Sequence, residues 1–150
     1  MLKIHNDHLE ASLSDALNIM AFISPIPPED MAPPTGPALR TRIQFEGVTT
    51  GALELVCPLA FGAMLAANLL GTEPEASDNN ASADALRELL NVTCGTILRN
   101  SGVTQRGAIE MGVPTQESFD LSDWNTFIES EAVVVDADGC KLAIRMIDGI

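Results

Sequence analysis

The sequence predicts an α+β fold: a largely antiparallel β-sheet with long helices packed on one face. Three observations lead there. Apolar residues recur every three or four positions in two long segments, near 6–23 and 82–100, the spacing of a helix with one buried face. In several short segments they alternate instead, the period of a half-buried strand. The order of these segments is helix, strand, strand, then helices, then strands, which suits helices layered on an antiparallel sheet. With 150 residues and 46% apolar side chains, one domain over 1–150 can bury a core.

Taken in order, the first helix is expected over about 6–23, its stripe formed by Leu9, Leu13, Ala16, Leu17 and Met20. It must stop before Pro25, because proline lacks a donor and clashes with the preceding turn. Residues 24–38 then form a stiff, proline-rich surface loop. Strands follow at 39–46 and 52–57, where Ile43 and Phe45, then Leu53, Leu55 and Cys57, alternate. Pro58 suits the first turn of a second helix, and Gly71 suits its end. That helix is apolar nearly all round, so it is expected to be buried or in an interface. The polar stretch 72–81 reads as a loop, and Ser82 as the cap of a third helix running to about Asn100, with Asp84 in its first turn. Further strands are expected at 108–112, 127–135 and 142–147, the last two joined by a turn over 136–139. The runs Asp15-Ala16-Leu17 and Asp84-Ala85-Leu86 hint at an internal duplication.

Charge narrows the function. Against 21 acidic residues stand 8 basic ones, a formal −13, which excludes gripping nucleic acid or an anionic membrane surface. Aromatics are 4% with no Tyr, too few for a stacking platform. Cys57, Cys94 and Cys140 lie far apart, as buried cytosolic thiols rather than a disulfide framework or zinc site. The start lacks the apolar segment of a signal peptide, and 55–70 is too short and too interrupted to span a bilayer, so a cytoplasmic protein is expected. His5 and His8 have helix-ligand spacing but read as part of a solvated terminus.

The third helix carries the candidate chemistry. At 100° per residue, Leu86, Leu90, Thr93 and Ile97 form the stripe that faces the core. Asp84, Glu88, Asn91, Gly95 and Arg99 gather on the other side, flanked by Val92 and Leu98. This sets a carboxylate beside an amide, with a glycine one turn beyond the amide. A glycine there costs about 1 kcal/mol of helix propensity, which close approach of a partner's backbone can offset. The competing reading is an ordinary solvated helix face.

The run Asp84-Ala85-Leu86-Arg87-Glu88-Leu89-Leu90-Asn91, followed by Gly95 and by Pro114, resembles the signature of the CheC/CheX family of chemotaxis phosphatases. Phe45-Glu46-Gly47 with Gly51-Ala52-Leu53-Glu54-Leu55 resembles the family's strand pair. The resemblance implies hydrolysis of the aspartyl phosphate of a phosphorylated CheY-like response regulator. It implies that Asn91 orients the attacking water and that Glu88 pairs with the Lys beside the phosphorylation site. Asp84 becomes a helix-start or rim residue and Pro114 a structural one. The Mg²⁺ is expected on the partner regulator, so this chain needs no cofactor of its own. Because Ile19 and Phe22 stand where a second Glu and Asn would be, a single motif survives, as in the CheX-like form. Those two residues then become core candidates, and a homodimer is expected.

An acyl phosphate already hydrolyses spontaneously, so catalysis needs positioning more than a new nucleophile. That fits the lack of a Ser-His-Asp or Cys-His set. A non-catalytic interaction module of the same fold is the alternative, and a small-ligand site near Phe61 and Met64 a third. The negative charge gives poor long-range steering toward an acidic regulator, so docking is expected to rest on local contacts at Val92, Gly95 and Leu98.

Overall fold

The computed structural model describes residues 6–71 and 78–148. Helix α1 (Asn6–Ala21) leads into strands β1 (Ala38–Gly47) and β2 (Gly51–Pro58) and helices α2 (Leu59–Leu70) and α3 (Asn79–Asn100). Then come β3 (Ile109–Met111), β4 (Thr115–Phe119), a short helix α4 (Trp124–Ile128), β5 (Val133–Ala137) and β6 (Cys140–Asp148). All strand pairings are antiparallel, in the order β3-β1-β2-β6-β5, with β4 beside β3 on the outer edge of β1. Strand β2 runs through the middle, with Leu55 opposite Thr41 on one side and Ile144 on the other.

Alternation along these strands builds two cores of unequal size. Leu53, Leu55 and Cys57 point with Ile43, Phe45, Leu142 and Ile144 toward α1, α2 and α3, where Leu9, Leu13, Leu17, Phe61, Leu65 and Leu86 meet them. The intervening residues Val56 and Ala143 face the other way and pack under Trp124 and Phe127. The three long helices thus share one face, while α4 caps part of the other. On that second face Glu54, 2% exposed, accepts from Arg145 Nε at 2.8 Å and Arg42 Nη1 at 3.2 Å, tying β1, β2 and β6 together.

Several elements depart from expectation. Helix α1 ends at Ala21, not 23, and its end sends Phe22 outward. The Phe22 N–H donates to Asn18 O, the closure of an αL cap with Phe22 in the left-handed position at φ 56°, and the Ile23 N–H donates to Leu17 O. That closure tucks Ile23 into the core and leaves Phe22 93% exposed; Ile19, about 200° around the helix from Leu17, is 70% exposed. Neither is a core residue. The Asp15/Asp84 likeness also stops there, since the first run ends its helix at Ala21 and the second continues to Asn100.

The region expected as a strand from 127 is helical up to Ile128, because Trp124, Phe127 and Ile128 have helical spacing and pack on the second sheet face. Strand β5 starts only after Glu131, itself at φ 60°. Strand β4 was not expected: as an edge strand reading Thr-Gln-Glu-Ser-Phe, it shows no apolar alternation. Helix α2 buries one side only, with Leu69 and Leu70 exposed. Of the loop expected at 72–81, positions 72–77 lie outside the described residues and Asn79 onward is helical. Among the described residues no helix is long and apolar enough to cross a membrane.

Candidate functional site

Helix α3 begins one turn earlier than its sequence signals, and Asp78 is the cap: its Oδ1 accepts from the Ala81 N–H at 2.7 Å. Ser82 is not the cap. It is buried inside the helix, its hydroxyl donating to the Asp78 carbonyl at 3.0 Å. Asp84 therefore stands in the second turn, away from the helix-start position expected of it, and pairs with Arg87.

The core stripe is as expected, with Leu86, Leu90, Thr93 and Ile97 all buried. On the outer side Asp84 and Glu88 are exposed, and Asn91 and Gly95 are half-buried. Among the described residues neither Glu88 nor Asn91 spends its side chain on a hydrogen bond or ion pair within the chain. Of the flanking residues, Val92 is half-buried and packs against the core. Leu98 is 3% exposed and is no contact residue. It continues the row Leu90–Cys94–Leu98 at four-residue spacing, and that row points inward. The thiols lie in the same interior: burial raises Cys57 far above the ordinary range and pushes Cys94 up to about 12, so neither is a nucleophile here.

The folded chain brings Pro114 alongside this face. A Cβ built at Gly95 would lie 4.0 Å from Met111 Sδ, and Gln116 Nε2 donates to Ala83 O at 2.8 Å. Along β1 the same segment passes from Phe45, opposite Met111, to Thr41, opposite Gln116. The segment between those contacts therefore runs antiparallel to α3, with Pro114 between them. Pro114 stands in the break between β3 and β4, where a residue without an N–H is tolerated on a sheet edge.

Four hollows of the described surface lie elsewhere. They are lined by residues such as Gln44, Glu46 and Glu110, or Arg40, Arg42 and Glu117, and none of these four by Glu88 or Asn91. A carboxylate and an amide on an open helix face have nothing to enclose a small substrate, and suit a macromolecule that brings its own reacting group. The third expectation fails on the same ground, since Phe61 is fully buried core. Among the described residues no group of three His, Cys, Asp or Glu could hold a metal.

An antiparallel sheet with three helices on one face defines an α+β fold, here with a Glu/Asn pair on the outer side of the longest helix. The model of the chemotaxis phosphatase CheX family matches residues 40–118, just over half of the chain, and the chain belongs to that family. The chemotaxis protein CheX of Vibrio vulnificus superposes with a TM-score of 0.68 at 18% identity, over 94% of this chain and 93% of that one. CheX of Desulfovibrio desulfuricans gives 0.66 at 12%, covering 95% and 97%. A CheX–CheY–BeF3–Mg²⁺ complex from Borrelia burgdorferi gives 0.65 at 16%, covering 97% and 98%. No curated protein matches the sequence.

Proposed function

We propose that this chain speeds hydrolysis of the aspartyl phosphate on a CheY-like response regulator in the cytoplasm. The observation that carries the reading is the pair Glu88 and Asn91, side by side on an open face of α3 in a chain of the CheX family, with no partner among the described residues. In this reading α3 docks on the regulator, Glu88 pairs with a lysine there, and the Asn91 amide holds a water in line with phosphorus. The water's oxygen bonds to phosphorus as the bond to the aspartate oxygen breaks, giving inorganic phosphate and a free carboxylate. An amide suits this role because it can both accept from and donate to the water without a change of charge. The Mg²⁺ comes with the regulator; the Borrelia complex contains CheY, BeF3 and Mg²⁺ together. Two copies of the chain pair in this reading. Its support is the sheet's outer edge at β3 and β4, whereas the β5 edge is closed by the Ile26–Asp136 bridge.

The test is Asn91→Ala. The residue is half-buried on the outer face and alanine has the higher helix propensity, so stability is expected to hold or rise by a few tenths of a kcal/mol. Dephosphorylation of the cognate regulator should fall at least about a hundredfold, or ~2.7 kcal/mol of transition-state stabilisation. A folded Asn91→Ala chain working at the parent rate sinks the mechanism, and a parent chain that binds the phosphorylated regulator without speeding its hydrolysis marks a non-catalytic module.

A further inference from the structure

Two glycines sit inside long helices, and their surroundings differ. Gly62 of α2 is explained by the chain itself: a Cβ there would lie 2.7 Å from the Ser82 carbonyl oxygen, so the glycine lets α2 lie against α3. Gly95, in the last third of α3, has no such reason. A Cβ there would meet only Met111 Sδ at 4.0 Å, an ordinary contact. Every other described glycine has a left-handed or otherwise positive φ, or a neighbour within 3.4 Å of the added carbon; Gly95 has neither. The helix thus carries its propensity cost at Gly95 without any gain among the described residues.

The bare main chain at Gly95 is half-exposed, and it lies four residues, one helical turn, beyond Asn91 on the same side. We infer that Gly95 is the close-approach point of the docked regulator: a main-chain segment of the partner lies against α3 there, as Ser82 lies against Gly62. The inference rests on the proposed phosphatase reading for the partner's identity and deepens it, assigning selection of the partner to Gly95 and the chemistry to Asn91. A side chain at 95 clashes with that segment and weakens the docked complex, while the complexes that do form keep the phosphoryl group at the Asn91 amide. A regulator whose corresponding loop is bulky or projects less would be rejected by the same surface.

The experiment is a size series, Gly95→Ala and Gly95→Leu, with Asn91→Ala beside it. Binding is measured by calorimetry against the receiver domains encoded in the same genome, each loaded with beryllofluoride and Mg²⁺, and turnover is measured on the same domains after phosphorylation. Gly95→Ala should raise the thermal midpoint by a few degrees, since it adds helix propensity and its methyl group makes only an ordinary contact with Met111. Its Kd and KM should rise about tenfold, and those of Gly95→Leu at least about a hundredfold, with kcat at saturation changed far less. Asn91→Ala should show the reverse split, with kcat lost and Kd kept. A Gly95→Ala chain that binds as the parent does overturns the inference. So does one that is less stable than the parent, or a parent chain that binds none of the receiver domains. If the Gly95 series loses affinity while Asn91→Ala turns over normally, the docking point stands and the phosphatase mechanism falls.

Discussion

Asn91 and Leu98 lie two turns apart on α3, and the side chains around them set opposite outcomes for the same kind of substitution. Leu98 closes the inward row with Leu90 and Cys94, so Leu98→Ala removes buried methyl groups and leaves a cavity. It should cost about 2–5 kcal/mol in urea unfolding, with regulator binding by the remaining folded protein unchanged. A loss of binding at full stability would return Leu98 to the docking surface. Asn91 makes no side-chain hydrogen bond among the described residues, so alanine there should disturb chemistry and leave the fold alone. Phe22 shows the same dependence on neighbours: as the left-handed residue that closes α1, it is exposed because Ile23 takes the inward place.

At the scale of the element, α3 is the part that both packs and presents the candidate residues, so its start matters. Asp78 satisfies the Ala81 N–H and places a carboxylate at the positive end of the helix dipole. Asp78→Ala should lower stability by about 1 kcal/mol, read as a shifted denaturation midpoint at constant slope. Unchanged stability would mean that the cap lies elsewhere. The element boundaries that the sequence mislaid have a common cause. Asp78 and Ser82 are both good caps; in the folded chain Asp78 takes the cap, and Ser82 is buried inside the helix with its carbonyl oxygen against Gly62. Strand β4 and helix α4 were hidden because their partners, β1 and the second sheet face, lie far away in sequence.

For the whole molecule, the sheet has one closed edge and one open. The Ile26–Asp136 bridge blunts β5, and β3 and β4, broken at Pro114, form the opposite border. Pairing of two copies should appear in sedimentation velocity as a mass near twice 15.9 kDa at micromolar concentration. A monomer mass independent of concentration would contradict it. The charge of −13 on each copy resists association, so pairing should strengthen with added salt.

The α+β class, the long helices, the central strands β1, β2 and β6, and the Glu88/Asn91 face of α3 were legible in the sequence. Each rests on a periodicity of neighbouring residues, which local geometry converts directly into a buried or open side. Tertiary structure alone decided what depends on residues distant in the chain. It buried Leu98, turned Ile19 and Phe22 outward, moved the cap to Asp78, and brought the segment that holds Pro114 alongside α3 through the contacts of Met111 and Gln116. Periodicity gives the angle of a side chain around its own helix. Whether another element fills the space at that angle is fixed only when the layers close on one another.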